Sequence, residues 1–243
     1  MLLNCDLGES HGNWMMGMDA EVMPYIDQAN IACGFHAGDP LTMRKTLALA
    51  AQHGASVGAH PAYPDLVGFG RRSMALSEEE IIADLQFQVA ALDGMAKTAG
   101  LQLAYVKPHG ALYNDMMARQ EVRGAILKAV AGYYRPLPLM MQATAAALEH
   151  RTEAELLGVT VLFEAFADRC YEDDGSLRSR RLPGAVHDRA KMLEQVALLL
   201  HEGVVVTYSG MRLSLAADSI CVHGDNREGV EAIREIRALV HGN

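Results

Sequence analysis

Carboxylates, imidazoles and one lysine recur directly after short apolar runs in this chain of 243 residues. The sets are Asp6 with Glu9, His36 with Asp39, His60 with Asp65, Lys107 with His109, Glu164 with Asp168 and Arg169, and His223 with Asp225. The stretch from Asn30 to Pro40, NIACGFHAGDP, shows the plan most fully. Its apolar start, residues 29–33, reads as a buried strand, and Gly34 and Gly38 permit a sharp bend. Asp39 then suits a helix N-cap and Pro40 a first helical residue. One histidine at a strand end means little, and Asp39 and Asp225 have work as caps whatever else they do. Polar groups at every strand exit weigh more, because each one buried without a partner costs about 1–3 kcal/mol. They must pair with one another, with water or with a ligand.

Three chemistries suit such a set. Carboxylates and imidazoles can pass protons around an amide or another carbonyl. In that scheme Lys107 is either the cation that holds a substrate carboxylate or, partly desolvated, a base with a lowered pKa. Alternatively, Asp6, His60 and His109 bind a divalent metal that activates water, although no H-x-x-x-H or H-E-x-x-H spacing accompanies them. The third arrangement binds a ligand without turning it over. Phosphate loops of the G-x-x-x-x-G-K-[ST] type and G-x-S-x-G elbows are absent, and Gly68 to Ser73 (GFGRRS) only half matches a dinucleotide loop. Nothing local predicts a nucleotide site.

Periodicity gives the elements that must position these groups. Strands are expected at residues 2–5, 29–33, 57–59, 103–106, 137–141, 159–163, 203–207 and 219–222, each a short apolar run of the kind buried on both faces. Helices are expected at 19–25, 40–52, 78–99, 115–130 and 187–200, with a terminal helix capped by Asp225. Leu41, Leu47 and Ala51 should face the core in the second of these, and Ser77 with Glu80 forms a capping box before the third. Val230, Ile233, Ile236 and Val240 should be inside in the last. His53, His150, His201 and His241 lie on helices or at their ends and read as surface residues. The polar stretch 168–183, with Arg178, Arg180 and Arg181, is either a functional loop or a solvated excursion. Seven or eight strand–helix units point to a single α/β domain over residues 1–243, most simply a closed parallel barrel, with a doubly wound sheet as the alternative. In a barrel the loops after the strands share one face, so the six sets would meet there.

Composition narrows the partners. Half the residues are apolar and 21% are charged, enough to fill a core. The net charge of −9, with no long basic cluster, argues against nucleic acid. No secretory leader is evident at the start, and no apolar run approaches a membrane span. Cys5, Cys33, Cys170 and Cys221 lack C-x-x-C spacing and read as reduced core thiols of a cytoplasmic protein.

Taken in order, the motifs resemble those of one family, LamB/YcsF. They are Asn4–Ser10 (NCDLGES), Ala29–Pro40, Gly58–Pro61 (GAHP), Pro64–Arg72 (PDLVGFGRR), Val106–Asn114 (VKPHGALYN), Phe166–Arg169 (FADR) and Cys221–Asp225 (CVHGD). Together they span nearly the whole chain and are far more specific than any one alone. The resemblance implies a distorted, seven-stranded, TIM-like β/α barrel of the glycoside hydrolase/deacetylase type. It also implies the 5-oxoprolinase reaction: ATP-dependent hydrolytic opening of 5-oxo-L-proline to L-glutamate, together with two partner subunits, B and C. On that footing Asp6 or Glu9 is expected as base, His60 or His109 as acid, and Lys107 or Arg71 as the grip on the substrate carboxylate. Asn30, His36, Asp39, Glu164, Asp168, Arg169, His223 and Asp225 are expected around the substrate. ATP enters as co-substrate, bound mainly by the partners, and a divalent metal is a further option. The alternatives are an independent metal-dependent amidohydrolase or deacetylase and a non-catalytic lactam-binding subunit. Two places depart from the family pattern: His11, where an aromatic residue is usual, and residues 140–149, which lack the expected small residues.

Overall fold

Strands separated by helices are returned to the same end of the sheet each time, so they pair in parallel. The computed structural model has that arrangement and describes residues 1–223 and 227–242; Asp225, expected as a cap and a substrate contact, lies outside the described residues. In chain order the elements are β1 (Leu2–Leu7), α1 (Asp19–Val22) with a 3-10 turn (Met23–Tyr25), β2 (Gln28–Ala32), α2 (Pro40–His53), β3 (Ser56–His60) and α3 (Glu78–Thr98). There follow β4 (Leu103–Val106), α4 (Gly110–Ala118), α5 (Gln120–Ala131), β5 (Leu139–Gln142), α6 (Ala147–Glu155) and β6 (Val161–Phe166). The chain ends with α7 (Arg189–Glu202), β7 (Val204–Val206), β8 (Arg212–Ser214), β9 (Ser219–Cys221) and α8 (Arg227–His241). Strands β1 to β6 pair in order and β9 sits between β6 and β1, which closes a parallel barrel of seven strands. The doubly wound alternative is thereby set aside.

Alternation along each strand sorts its side chains to two sides. Leu3, Cys5 and Leu7 of β1 and Ala29 and Ile31 of β2 join the apolar core shared with the helices. Asn4, Gln28, Asn30, Tyr105 and Ser219, all buried, meet on the other side, inside the barrel. There they satisfy one another. Asn4 donates from Nδ2 to Ser219 Oγ at 2.8 Å, Ser219 donates to Gln28 Oε1 at 2.7 Å, and Asn30 donates from Nδ2 to Asn4 Oδ1 at 2.8 Å. The Tyr105 hydroxyl donates to Asn30 Oδ1 at 2.5 Å. This polar layer is the platform on which the strand ends carry their reactive groups.

Helix ends follow the expected rules. Asp39 caps α2 through Leu41 and Thr42 N–H, Ser77 and Glu80 form the capping box of α3, and Asp188 caps α7 through Lys191 N–H. Each such cap contributes about 1 kcal/mol. Other expectations need correction. Residues 204–206 do not enter the barrel: only Val205 of β7 is buried, and β7 pairs antiparallel with β8 outside it. The expected helix 115–130 is two helices, broken where Arg119 adopts extended backbone and pairs with Asp115 at 2.6 Å. The core face of α2 is Met43, Thr46, Leu47 and Ala50, while Leu41 and Ala51 are exposed. His150 is buried and is no surface residue. Residues 140–149, which depart from the family pattern, end β5 and open α6.

Candidate active site

The C-terminal strand ends enclose a cavity of about 550 Å³. Its lining includes Asp6, Glu9, His60, Arg71, Lys107, His109, Arg169 and His223. At its base Lys107 reaches across the barrel from the end of β4. Its Nζ stands 2.9 Å from Asp6 Oδ1, 3.0 Å from Glu164 Oε2 and 3.2 Å from Asn4 Oδ1. An ammonium has three protons, and its hydrogen bonds go to Asp6 Oδ1, Asn4 Oδ1 and, at 3.3 Å, Cys221 Sγ, with Glu164 paired to it by charge. Burial alone would lower the Lys107 pKa, but the Asp6 carboxylate, with Glu164 adding to it, holds it well above its ordinary value. Lys107 is therefore a permanently charged tie between two strand ends. The expected base of lowered pKa does not exist there, and its committed donors leave none for a substrate carboxylate. Burial likewise works to raise the Asp6 pKa, yet His60 and Lys107 outweigh it and hold the carboxyl well below the usual range.

Beside Asp6 stands a group of three imidazoles. A carbonyl only accepts, so His60 Nδ1–H donates to Lys107 O at 2.7 Å and His109 Nε2–H donates to Phe69 O at 3.0 Å. The remaining nitrogens, His60 Nε2 and His109 Nδ1, face each other at 3.0 Å. Asp6 Oδ2 lies 3.3 Å from the first and Glu9 Oε1 lies 3.4 Å from the second. His36 stacks on His109 with centroids 3.7 Å apart and rings 6° from parallel, and it meets Glu9 Oε1 at 3.2 Å through Nε2. Burial, with the neighbouring rings, keeps His109 well below its ordinary pKa and does the same to His36. Burial raises Glu9. Gly70 makes the cluster possible: it has φ +63°, and a Cβ there would lie 2.7 Å from His36 Cβ and 2.8 Å from His109 Cδ2.

A different imidazole reaches the cavity on the other side of Asp6, from the end of β9. His223 Nδ1–H donates to Asp168 Oδ2 at 2.8 Å, which leaves Nε2 toward the cavity, 3.7 Å from Asp6 Oδ2. Burial lowers the His223 pKa, but the charge and hydrogen bond of Asp168 prevail and raise it. The mouth of the cavity is cationic, with Arg71, Arg169, Arg180 and Arg181 in its lining. Arg169 is lowered to about 10, first by burial and then by the charge of Arg180. The polar stretch 168–183 supplies this wall through Leu177, Ser179, Arg180 and Arg181. Arg178 anchors it, paired with Glu172 at 2.7 Å and placed 3.5 Å over the Tyr208 ring.

The barrel brings together most of the expected residues, in two ranks. Asp6, Glu9, His60, Arg71, Lys107, His109, Arg169 and His223 line the cavity, while Asn30, His36, Glu164 and Asp168 stand behind them as partners. Asp39 does not join them: its two oxygens are taken by Gly12, Leu41 and Thr42, and it does not line the cavity. Sequence reasoning missed Asp19, Tyr113, Asn114 and Phe166 in the lining. Asp19 holds Gly8 N–H at 2.9 Å and Thr46 Oγ1 at 2.8 Å, which fixes the turn that aims Glu9. Its only signal was position, an acidic residue opening a short helix. Among the described residues, side chains able to hold a cation fall into two groups, Glu9 with His36, His60 and His109, and Asp6 with Cys221 and His223.

Comparison with known proteins agrees with this fold. The chain matches the LamB/YcsF family over residues 1–243. It is 57% identical over 243 residues to the second of the 5-oxoprolinase A subunits of Pseudomonas putida, covering all of this chain and 94% of that one. It is 55% identical over 242 residues to the 5-oxoprolinase A subunit of Chromohalobacter salexigens, covering 99% and 97%. The crystal structure of a lactam utilization protein from Thermus thermophilus superposes with a TM-score of 0.90 at 39% identity, over all of this chain and 96% of that one. The chain belongs to the LamB/YcsF family.

Proposed function

From that membership and from the divided cavity, we propose that this chain, one barrel domain over residues 1–243, hydrolyses a cyclic amide. The substrate is 5-oxo-L-proline, the product is L-glutamate, and the chain acts as the A subunit of a 5-oxoprolinase with partner subunits B and C. The observation that carries the reading is the placement of two proton-handling groups in one cavity on either side of Asp6, whose Oδ2 lies 3.3 Å from His60 Nε2 and 3.7 Å from His223 Nε2. Glu9, His60 and His109 stand on one side, and the Asp168–His223 pair on the other.

A five-membered lactam resists water because amide resonance makes its carbonyl carbon a poor electrophile. Phosphorylation of the carbonyl oxygen, with ATP as co-substrate, removes that protection. Water then adds to the carbon, assisted from the side of Glu9, His60 and His109. The C–N bond breaks as the nitrogen takes a proton from His223 Nε2, whose ring Asp168 holds in position, and the acyl phosphate so formed is hydrolysed by a second water to L-glutamate and inorganic phosphate. Asp6 is retained as a fixed negative charge by Lys107, and it favours the protonated form of His223. Arg71 and Arg169 suit the substrate carboxylate, since guanidinium pairs well with it. The chain carries no phosphate loop, so the partners hold the nucleotide. The four free, buried cysteines suit a reducing cytoplasm, and among the described residues no helix is long and apolar enough to cross a membrane.

The test is glutamate formation from 5-oxo-L-proline and ATP, first with this chain alone and then with both partner subunits. The reading requires product only in the mixture. A demonstrably assembled mixture that forms no glutamate refutes the substrate. Calorimetry on the isolated chain should show weak or undetectable ATP binding, and tight stoichiometric binding would remove the division of labour.

A further inference from the structure

Two backbone carbonyls take the Nδ1–H of His60 and the Nε2–H of His109, which turns the second nitrogen of each ring toward the same place. These nitrogens, His60 Nε2 and His109 Nδ1, are 3.0 Å apart, and Asp6 Oδ2 lies 3.3 Å from the first. Two ring nitrogens that close need a proton or a metal cation between them. Glu9 Oε1 adds a charged oxygen 3.4 Å from His109 Nδ1, and all three ligand atoms lie within 4.8 Å of one another. Ligands about 2.0–2.1 Å from a tetrahedral ion are about 3.3–3.4 Å from each other, so the two measured edges are close to those of a metal polyhedron. Imidazoles that bind metals also donate their second N–H to a carbonyl or carboxylate, as both rings do here.

We propose that His60 Nε2, His109 Nδ1 and Glu9 Oε1 bind one divalent transition-metal cation, with a remaining position open to the cavity. Three protein ligands and an open position are the pattern of catalytic rather than structural sites. Such an ion lowers the pKa of a bound water and polarises a carbonyl. His36 is not a ligand, because its ring lies parallel to His109 at 3.7 Å and two stacked rings cannot both aim in-plane lone pairs at one ion. It is a positioning residue that donates from Nε2 to the Glu9 carboxylate. The second candidate group is already served by a cation: Lys107 Nζ lies 2.9 Å from Asp6 Oδ1 and 3.3 Å from Cys221 Sγ. The inference rests on the ring-opening reading for the use of the ion, but its test does not require turnover.

The full, untagged chain is stripped with a chelator, equilibrated separately with Zn(II), Mn(II) and Co(II), desalted, and assayed for metal by elemental analysis. About one equivalent should be retained for at least one ion, and Co(II) should give a visible absorption band of low-symmetry N/O coordination. His109→Ala and His60→Ala should abolish retention. Glu9→Gln, nearly isosteric, should weaken it at least about tenfold, and His36→Ala should weaken it about 10–100-fold, as loss of an outer-shell partner does. Cys221→Ser should leave it unchanged. Circular dichroism establishes that each variant is folded, and if an alanine variant is not, Glu9→Gln decides alone. No retention of any of the three ions overturns the site, which would then hold a shared proton. Retention that survives in folded His109→Ala, is undiminished in Glu9→Gln, or is lost in Cys221→Ser also overturns it. Absence of metal with glutamate formation intact refutes the site and spares the ring-opening reading, whereas metal binding without glutamate formation does the reverse.

Discussion

Replacing Lys107 by Met keeps the unbranched stem, one atom shorter, and removes its charge. The ammonium is 2% exposed and Glu164 is 0% exposed, at 3.0 Å. Among the described residues Lys107 is the one cation paired with Glu164. The substitution therefore strands a buried carboxylate, a change that costs about 3–5 kcal/mol when one partner of a buried pair is lost. For a protein of this length each kcal/mol moves the midpoint by about 2–4 °C, so Tm should fall by roughly 6–20 °C. The sign with pH is fixed by the raised pKa of Lys107 in the folded state. A raised cationic pKa gives stability that is fully present below the unfolded value of about 10.4 and is lost only as pH rises through the folded one. The deficit should thus be undiminished at pH 7. Urea unfolding of wild type, Lys107→Met, Glu164→Gln and the double variant isolates the pair. Neutralising Glu164 removes the stranded charge, so the double variant should be more stable than the sum of the single effects by about 0.5–3 kcal/mol. A Lys107→Met protein within about 1 kcal/mol of wild type, or strictly additive effects, would refute the reasoning that Lys107 is a charge tie.

Asp168→Asn removes the charge that raises the His223 pKa. The limb on which activity falls with rising pH should move to lower pH, and kcat should drop by about 10²–10⁴, as for loss of a proton donor; an unmoved limb separates His223 from the proton transfer. Gly58→Ala places a Cβ 2.2 Å from the ring of Tyr105, which is buried and bonded to Asn30. It should destabilise by about 1–3 kcal/mol or more, measured by urea unfolding. Asp93 accepts from Arg135 at 2.8 Å, Tyr134 at 2.7 Å and Tyr133 at 3.0 Å. Burial opposes these bonds, but they prevail and lower its pKa. Its contribution is therefore present above the unfolded value of about 3.9 and lost as pH falls toward the lower folded one. Asp93→Asn should flatten the fall of stability in that window, and a stability–pH curve parallel to wild type would exclude it.

Much of this protein was legible before any coordinates. Apolar runs alternating with capped helices specify parallel pairing locally, and the caps at Asp39, Ser77 with Glu80, and Asp188 act within one helical turn. Placing reactive residues after strands identified the cavity face, because a barrel carries those ends to one rim. Some missed information was in the sequence. The alternation in Leu2–Leu7 and Gln28–Ala32 sends Asn4, Asp6, Gln28 and Asn30 to one side, a pattern that announces a polar barrel interior. The exclusion of β7 from the ring, however, depends on β9 meeting both β6 and β1, and no property of residues 204–206 states it. Roles depended on tertiary contact in the same way. Lys107 is a fixed cation because Asp6, from a strand about a hundred residues earlier, and Glu164 close on it. His223 and His109 have opposite pKa directions although both follow strands: one meets Asp168, and the other meets two more imidazoles. Sequence determines which groups arrive at the rim, since strand period and helix caps are local. Which are charged and which are neutral is decided only when distant groups come within a few ångströms, where Coulomb energy and lost hydration outweigh any intrinsic property of the residue.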